Sequence, residues 1–297
     1  MIITHVTPFR QILKAYSTLI SIPGAISNLQ DALSAQQGKI QESFEKVNQK
    51  LGDLESMNSV TAPQLIDIYD RMGFKLVLDS SSIVDKTMIE TGTWEMEQLS
   101  FFGSLIDRLR GRENPVFLDI GSYWGLYSLI AHRSGVFQEI ISFEADPFNR
   151  GQLHSNLWLN GISNNVKVID KAVSSCPGTL KFWDSRTHPN GNRAGVGVLP
   201  EVTPWPSFQV EATTIDIETN FSGAHILMKI DVEGHEDKAL IGMERTVRDN
   251  KVVMQIEVFE QQYETVFAIA SRLGLRVILE IRPDFYLTNI PHDELGM

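Results

Sequence analysis

The 297-residue chain contains one cysteine, Cys176, which excludes an internal disulfide and a cysteine-built zinc site. A reducing compartment commonly shows this usage, so a cytoplasmic location is expected. Positive charge is scarce: 26 Lys+Arg stand against 37 Asp+Glu, a net charge of −11, and the resulting field disfavours a nucleic-acid partner. Long apolar runs are missing as well. None approaches the roughly 20 residues that a membrane-spanning helix needs. Residues 15–26, after Arg10 and Lys14, are short, carry Ser17, Thr18 and Ser21, and are broken by Pro23-Gly24, so an amphipathic segment is expected there rather than a secretory signal. There is no internal repeat, and with 21 Gly, 12 Pro and 42% hydrophobic residues the chain has the usage of an ordinary globular protein.

Apolar residues recur at every seventh position from Ile26 through Leu33, Ile40, Val47 and Leu54. The alternate seam is polar at Gln30, Gln37 and Asn58 and apolar at Phe44 and Leu51, with Gly38 and Gly52 costing about 1 kcal/mol each in a helix. Residues 1–60 therefore read as a helical extension. Its stretch 26–58 is either a coiled-coil segment that builds a homo-oligomer or an amphipathic helix lying on its own domain or on a partner.

Residues 61–110 form a lead-in, with a linker at 59–63, a short helix expected at 65–72, a strand at 75–78 and an amphipathic helix at 93–109. From Val116 strands and helices alternate, the pattern of a parallel sheet covered on both faces, and residues 111–297 form one doubly wound α/β domain. Strands are expected at 116–120, 139–143, 166–170, 226–231, 252–258 and 276–280. Helices are expected at 126–133, 147–159, 237–248 and 262–273. Two short strands, 179–183 and 208–212, flank a Gly/Pro-rich loop, 188–206, which is a candidate cover for an acceptor.

The strand ending in Leu118-Asp119-Ile120 runs into Gly121-Ser122-Tyr123-Trp124-Gly125, a turn where backbone can approach a ligand closely. A complete G-x-G-x-x-G is absent, because Tyr123 stands at the second glycine. Glu144 ends the second strand, where a carboxylate accepts hydrogen bonds from both ribose hydroxyls of an adenosine; the alternative is that it caps the helix from Pro147. Asp119 would repel a pyrophosphate and suits a cationic ligand, which favours a sulfonium methyl donor over a nicotinamide dinucleotide. The third block is Lys229-Ile230-Asp231-Val232-Glu233-Gly234-His235-Glu236 at a strand's carboxyl end, where alternation puts Lys229 and Asp231 on one face.

Together with Phe143-Glu144-Ala145-Asp146-Pro147, residues 156–161, and Ala172-Val173-Ser174 followed by Gly178, these blocks resemble the FkbM family of S-adenosylmethionine-dependent methyltransferases over residues 90–290. The resemblance implies a class I methyltransferase, a Rossmann-like seven-stranded sheet, and methylation of a hydroxyl on a sugar, glycan or other natural product. It places cofactor contacts at Asp119, Gly121, Ser122, Tyr123, Gly125, Glu144, Ala145, Lys171 and Ala172. The family usually has Asn where this chain has Tyr123.

An attacking hydroxyl needs a base, and the candidates are Asp231, Glu233 and His235, with Asp231 favoured and Lys229 orienting it. Glu233 and Glu236 have the alternative of capping the next helix or facing solvent. Mg²⁺ held by Asp231, Glu233 and Glu257 is a lesser alternative, since Lys229 already supplies compensating charge. Trp94 and Glu95 either cover the cofactor or pack and cap. Two other classes remain: an inactive scaffold assembled through the N-terminal helix, and a nicotinamide-dependent oxidoreductase, which Tyr123 disfavours.

Overall fold

The computed structural model describes residues 66–296 and, before them, Gln36 alone. The 26–58 seam, residues 15–26 and the 59–63 linker lie outside the described residues. The chain divides into the units Met1–Pro63 and Gln64–Met297, and the elements described are those of the second.

It begins with a hairpin, β1 (Ile66–Arg71) and β2 (Phe74–Asp79). The helix expected at 65–72 is thus a strand. Met72 and Gly73, at φ 51° and 76°, make the two-residue turn whose twist suits a hairpin, and β2 buries Phe74, Leu76 and Leu78 on alternate positions. Pairing along β2 decides the conformation of a segment too short to hold a helix by itself. Helices α1 (Ile83–Thr91) and α2 (Met96–Leu109) follow, the second burying Phe102, Leu105, Ile106 and Leu109 along one stripe.

The core alternates β3 (Pro115–Ile120), α3 (Leu126–Ser134), β4 (Glu139–Phe143), α4 (Pro147–Leu159) and β5 (Lys167–Ile169). A side sheet is formed by β6 (Ala172–Val173), β7 (Gly178–Trp183) and β8 (Ser207–Thr213). After α5 (Ile215–Glu218) come β9 (His225–Ile230), α6 (Glu236–Ile241), α7 (Glu244–Asp249), β10 (Lys251–Glu257), α8 (Tyr263–Arg272), β11 (Arg276–Ile281), β12 (Asp284–Thr288) and α9 (His292–Leu295). The helix expected at 237–248 is two: a Cβ on Gly242 would lie 2.0 Å from the Ser174 carbonyl oxygen, so the chain turns there against β6's end.

Among the described residues the main sheet has seven strands in the order β11-β12-β10-β9-β3-β4-β5, the sheet that a class I methyltransferase implies. Strands β3, β4, β5, β9 and β10 are mutually parallel, while β12 runs antiparallel between β10 and β11. The sequence reading does not pick out β12, a five-residue run that is buried throughout.

Alternation along β3 and β9 divides the core in two. Leu118, Ile120, Met228 and Ile230 face α6, α7 and α8, whose Leu240, Val247 and Val266 meet them. Phe117 and Leu227 face α2, α3 and α4 through Phe102, Leu129 and Leu153. Each such fully buried side chain contributes roughly 1.5–3 kcal/mol. Strand order reverses between β3 and β9, so the carboxyl ends of these two central strands open a crevice.

Candidate active site

The crevice holds a cavity of about 450 Å³. Of the candidate residues, Asp119, Gly121, Ser122, Tyr123, Glu144, Ala145, Lys171, Ala172, Lys229, Asp231, Glu233 and His235 all line it, and Gly125 does not.

Gly121, at φ 82°, lies where a Cβ would come 1.8 Å from the Asp231 carbonyl oxygen. The β3 turn and the β9 tip therefore touch through bare backbone, and Asp231 N–H donates to the Ile120 carbonyl at 2.9 Å. Gly125, at φ 91°, serves packing instead. A Cβ there would meet Leu153 Cδ1 at 2.4 Å, so the glycine lets α3 start tight against α4.

Asp119 is buried, and its Oδ2 accepts from the amide and hydroxyl of Ser128 at 3.1 and 2.5 Å. Burial pushes its carboxyl up to about 6 in spite of those bonds. Ser122 turns its hydroxyl back onto the Asp119 carbonyl at 2.8 Å, closing the turn.

Glu144 is 6% exposed and accepts from two amides, Tyr123 N–H on Oε2 and Asp146 N–H on Oε1, each at 2.8 Å. It does not cap α4. Asp146 does, accepting from Phe148 and Asn149 N–H at 2.7 and 3.0 Å. Burial, reinforced by the neighbouring Asp146 charge, pushes the Glu144 carboxyl up to about 8. Lys171 borders the cavity with its ammonium drawn to Glu218 at 3.1 Å.

On the β9 side Lys229 is 3% exposed, with Nζ 3.0 Å from Asp284 Oδ1 and 3.4 Å from Asp231 Oδ2. Burial alone would discharge it; the two carboxylates more than offset that and hold its pKa well above the ordinary value. Glu233, at φ 52°, and Glu257 also line the wall, and burial, then the Asp231 charge, raises both carboxyls. Glu236 points away from solvent: its Oε1 takes the Val232 and Gly234 amides at 3.2 and 3.3 Å and closes the turn into α6. His235 Nε2 is 2.9 Å from Ser174 Oγ, and burial lowers its pKa.

Trp94 and Glu95 both line the cavity. Glu95 stands at the start of α2 without capping it and accepts instead from Tyr127 Oη at 2.7 Å. The 188–206 segment contributes Asn192, Ala194, Val196 and Val198 to the wall. It lies so close to the β9 tip that a Cβ on Gly197 would be 2.7 Å from the Glu233 carbonyl oxygen. Asp284 is the site residue that sequence reasoning missed. Its signal was available, an acid opening the apolar run Phe285-Tyr286-Leu287. The magnesium alternative finds no ligand set: among the described residues, no three His, Cys, Asp or Glu side chains are grouped to hold a metal ion.

The methyltransferase FkbM domain matches residues 116–282, more than half of the chain. The chain belongs to the FkbM methyltransferase family. Solved structures similar to this FkbM chain include the methyltransferase FkbM of Methylobacillus flagellatus KT, with 19% identity over 58% of this chain and 42% of that one and a TM-score of 0.41. Another is a SAM-dependent O-methyltransferase of Thermotoga maritima, with 11% identity over 76% and 78% and a TM-score of 0.42. The chain thus spans 42% of the length of the Methylobacillus protein. No curated protein matches it as a relative. Among the described residues, no helix is long and apolar enough to cross a membrane.

Proposed function

We propose that this FkbM methyltransferase uses S-adenosylmethionine to methylate a hydroxyl of a sugar, glycan or similarly hydroxylated natural product. The observation that carries the reading is one cavity walled by Gly121 and Glu144 on one side and by Lys229, Asp231 and Glu257 on another. The residues fit the cofactor: Gly121, packed against the Asp231 carbonyl as only a glycine can be, brings the β3 turn and the β9 tip together at the cavity, Glu144 offers a carboxyl to ribose hydroxyls, and Asp119 with its acidic neighbours suits a cation. Bound there, S-adenosylmethionine supplies an electrophilic methyl group on a sulfonium.

The chain's own residues do the rest. Asp231, beside the turn, takes the proton of the acceptor hydroxyl as positive charge builds on that oxygen. Lys229 holds the Asp231 carboxylate in place at 3.4 Å and is itself fixed by Asp284. The carboxyl groups of Glu95, Glu233 and Glu257 offer hydrogen-bond partners to further hydroxyls, which suits a polyol better than an apolar acceptor. The 188–206 cover keeps water out and holds the reacting oxygen near the methyl, so orientation supplies much of the rate.

Isothermal titration with S-adenosylmethionine, S-adenosylhomocysteine and NAD tests the donor. Binding of both sulfur ligands but not NAD is expected, and absence of binding by both sulfur ligands overturns the reading. Methyl-acceptor profiling of glycans and small molecules identifies the acceptor; transfer only to nitrogen or carbon would refute the hydroxyl assignment.

A further inference from the structure

Tyr123 is a tyrosine with φ 49° inside a glycine turn, a conformation that costs a non-glycine residue free energy unless its surroundings hold it. It is held at both ends. Its amide donates to Glu144 at 2.8 Å, and its hydroxyl donates to Asp85 Oδ1 at 2.7 Å while sitting 2.7 Å from Ser82 Oγ.

Asp85 lies in the first turn of α1 with no exposed surface. Its Oδ2 accepts from the Asp79 amide at 2.9 Å, from Gln152 Nε2 at 2.6 Å and from Arg193 Nη2 at 3.4 Å. Arg193 belongs to the 188–206 cover. Its guanidinium also donates to Gln152 Oε1 at 2.7 Å, and its carbonyl accepts from Asn149 Nδ2 at 3.0 Å. A further backbone bond, Ile83 N–H to the Gly191 carbonyl at 3.1 Å, ties the cover to the start of α1. Asn192 and Ala194, on either side of Arg193, line the cavity.

A buried carboxylate with no exposure needs compensating charge, and among the described residues the cations within ion-pairing reach of Asp85 reduce to Arg193. The chain Glu144, Tyr123, Asp85, Arg193 is therefore continuous from the cofactor turn to the cover.

We infer that Tyr123, Asp85 and Arg193 are positioning residues forming one strut, through which occupation of the turn at Glu144 orders the 188–206 cover over the acceptor. This rests on the reading that the cavity takes S-adenosylmethionine. A ligand that fixes Tyr123 favours the strut, the strut favours the closed cover, and by linkage loosening the strut weakens the ligand by the same factor.

The test is hydrogen exchange of the full chain with and without saturating S-adenosylhomocysteine, alongside titration, for the wild type, Tyr123→Phe and Arg193→Lys. In the wild type the ligand should slow exchange in residues 188–206. Tyr123→Phe removes one hydroxyl without changing ring shape, and should bind about tenfold more weakly, within the usual span of such couplings, and lose the ligand-dependent protection even at saturation. Arg193→Lys keeps the charge Asp85 needs but not the paired geometry, and should retain only part of it. A merely structural role would change exchange with and without ligand alike. Full ligand-dependent protection in both variants, or binding without protection in the wild type, overturns the strut. Failure of the wild type to bind the ligand at all is the separate result that removes the cofactor reading, and the strut with it.

Discussion

Lys229 Nζ lies 3.0 Å from Asp284 Oδ1, joining a central parallel strand to the antiparallel strand two places away in the sheet. Asp284 also accepts from Gln255 Nε2 at 2.8 Å on the strand between them, so a polar contact crosses three neighbouring strands inside the core. Breaking a buried pair leaves an uncompensated charge and costs about 3–5 kcal/mol. Asp284→Asn should lose about 3 kcal/mol, the lower end of that range, because Asp231 still faces the ammonium. Urea denaturation measures it, and a loss below about 1 kcal/mol would show that the pair is not what holds Lys229.

Gly121→Ala should damage the fold and the ligand site together. The added Cβ would meet backbone, the Asp231 carbonyl oxygen at 1.8 Å, at a φ that side chains rarely adopt. The backbone conformation alone costs about 1–3 kcal/mol, the overlap with the Asp231 carbonyl adds to it, and relieving it means moving the turn away from the β9 tip. S-adenosylhomocysteine affinity should fall at least about tenfold, since 1.4 kcal/mol is one decade. Titration beside a thermal unfolding curve separates the two effects, and unchanged affinity in a folded variant would place the ligand elsewhere.

The turn was legible in the sequence because its chemistry is local. An apolar strand, Gly121 and a strand-ending Glu144 are recognisable without knowing what packs on them, and so is the strand-ending Asp231. Residues whose role is set by distant partners were harder to read. Asp284 acquires its meaning from Lys229, and Asp85 from Tyr123 and Arg193, each pair brought together by sheet order or loop path rather than spacing. The hairpin at β1 departs from the expected helix for the same reason: its fate lies in pairing with β2, which overrides the weak helical pattern of the eight residues 65–72. The split at Gly242 follows from contact with Ser174, far away in the chain.

Ligand binding should depend on pH through Glu144. Its folded-state pKa is pushed up to about 8 against an ordinary 4.5, so the free protein takes up a proton there as pH falls below about 8, while accepting from both ribose hydroxyls favours the anion. Binding therefore releases a proton, and affinity for S-adenosylhomocysteine should rise with pH, approaching about tenfold per pH unit below 8 and flattening above. For stability of the free protein the sign is opposite. Between pH 4.5 and about 8 the folded state holds a proton that the unfolded state has lost, so stability falls as pH rises through that window. Glu144→Gln should remove its share of both slopes. A binding profile as steep in Glu144→Gln as in the wild type would assign the proton to another group.

Asp231→Asn tests the base. The substitution keeps the side chain's size and leaves the carbonyl that touches the Gly121 turn, and Lys229 retains Asp284 at 3.0 Å. Folding and S-adenosylhomocysteine binding should therefore survive, while kcat toward the acceptor found by profiling falls about 10²–10⁴-fold, the usual contribution of a positioned base. The alternatives give different results. If Glu233 or His235 were the base, Asp231→Asn would keep most of its rate, and Glu233→Gln or His235→Gln would lose it. Were orientation the whole of the catalysis, none of the three would change kcat by more than about tenfold, and the hydroxyl would have to lose its proton directly to water.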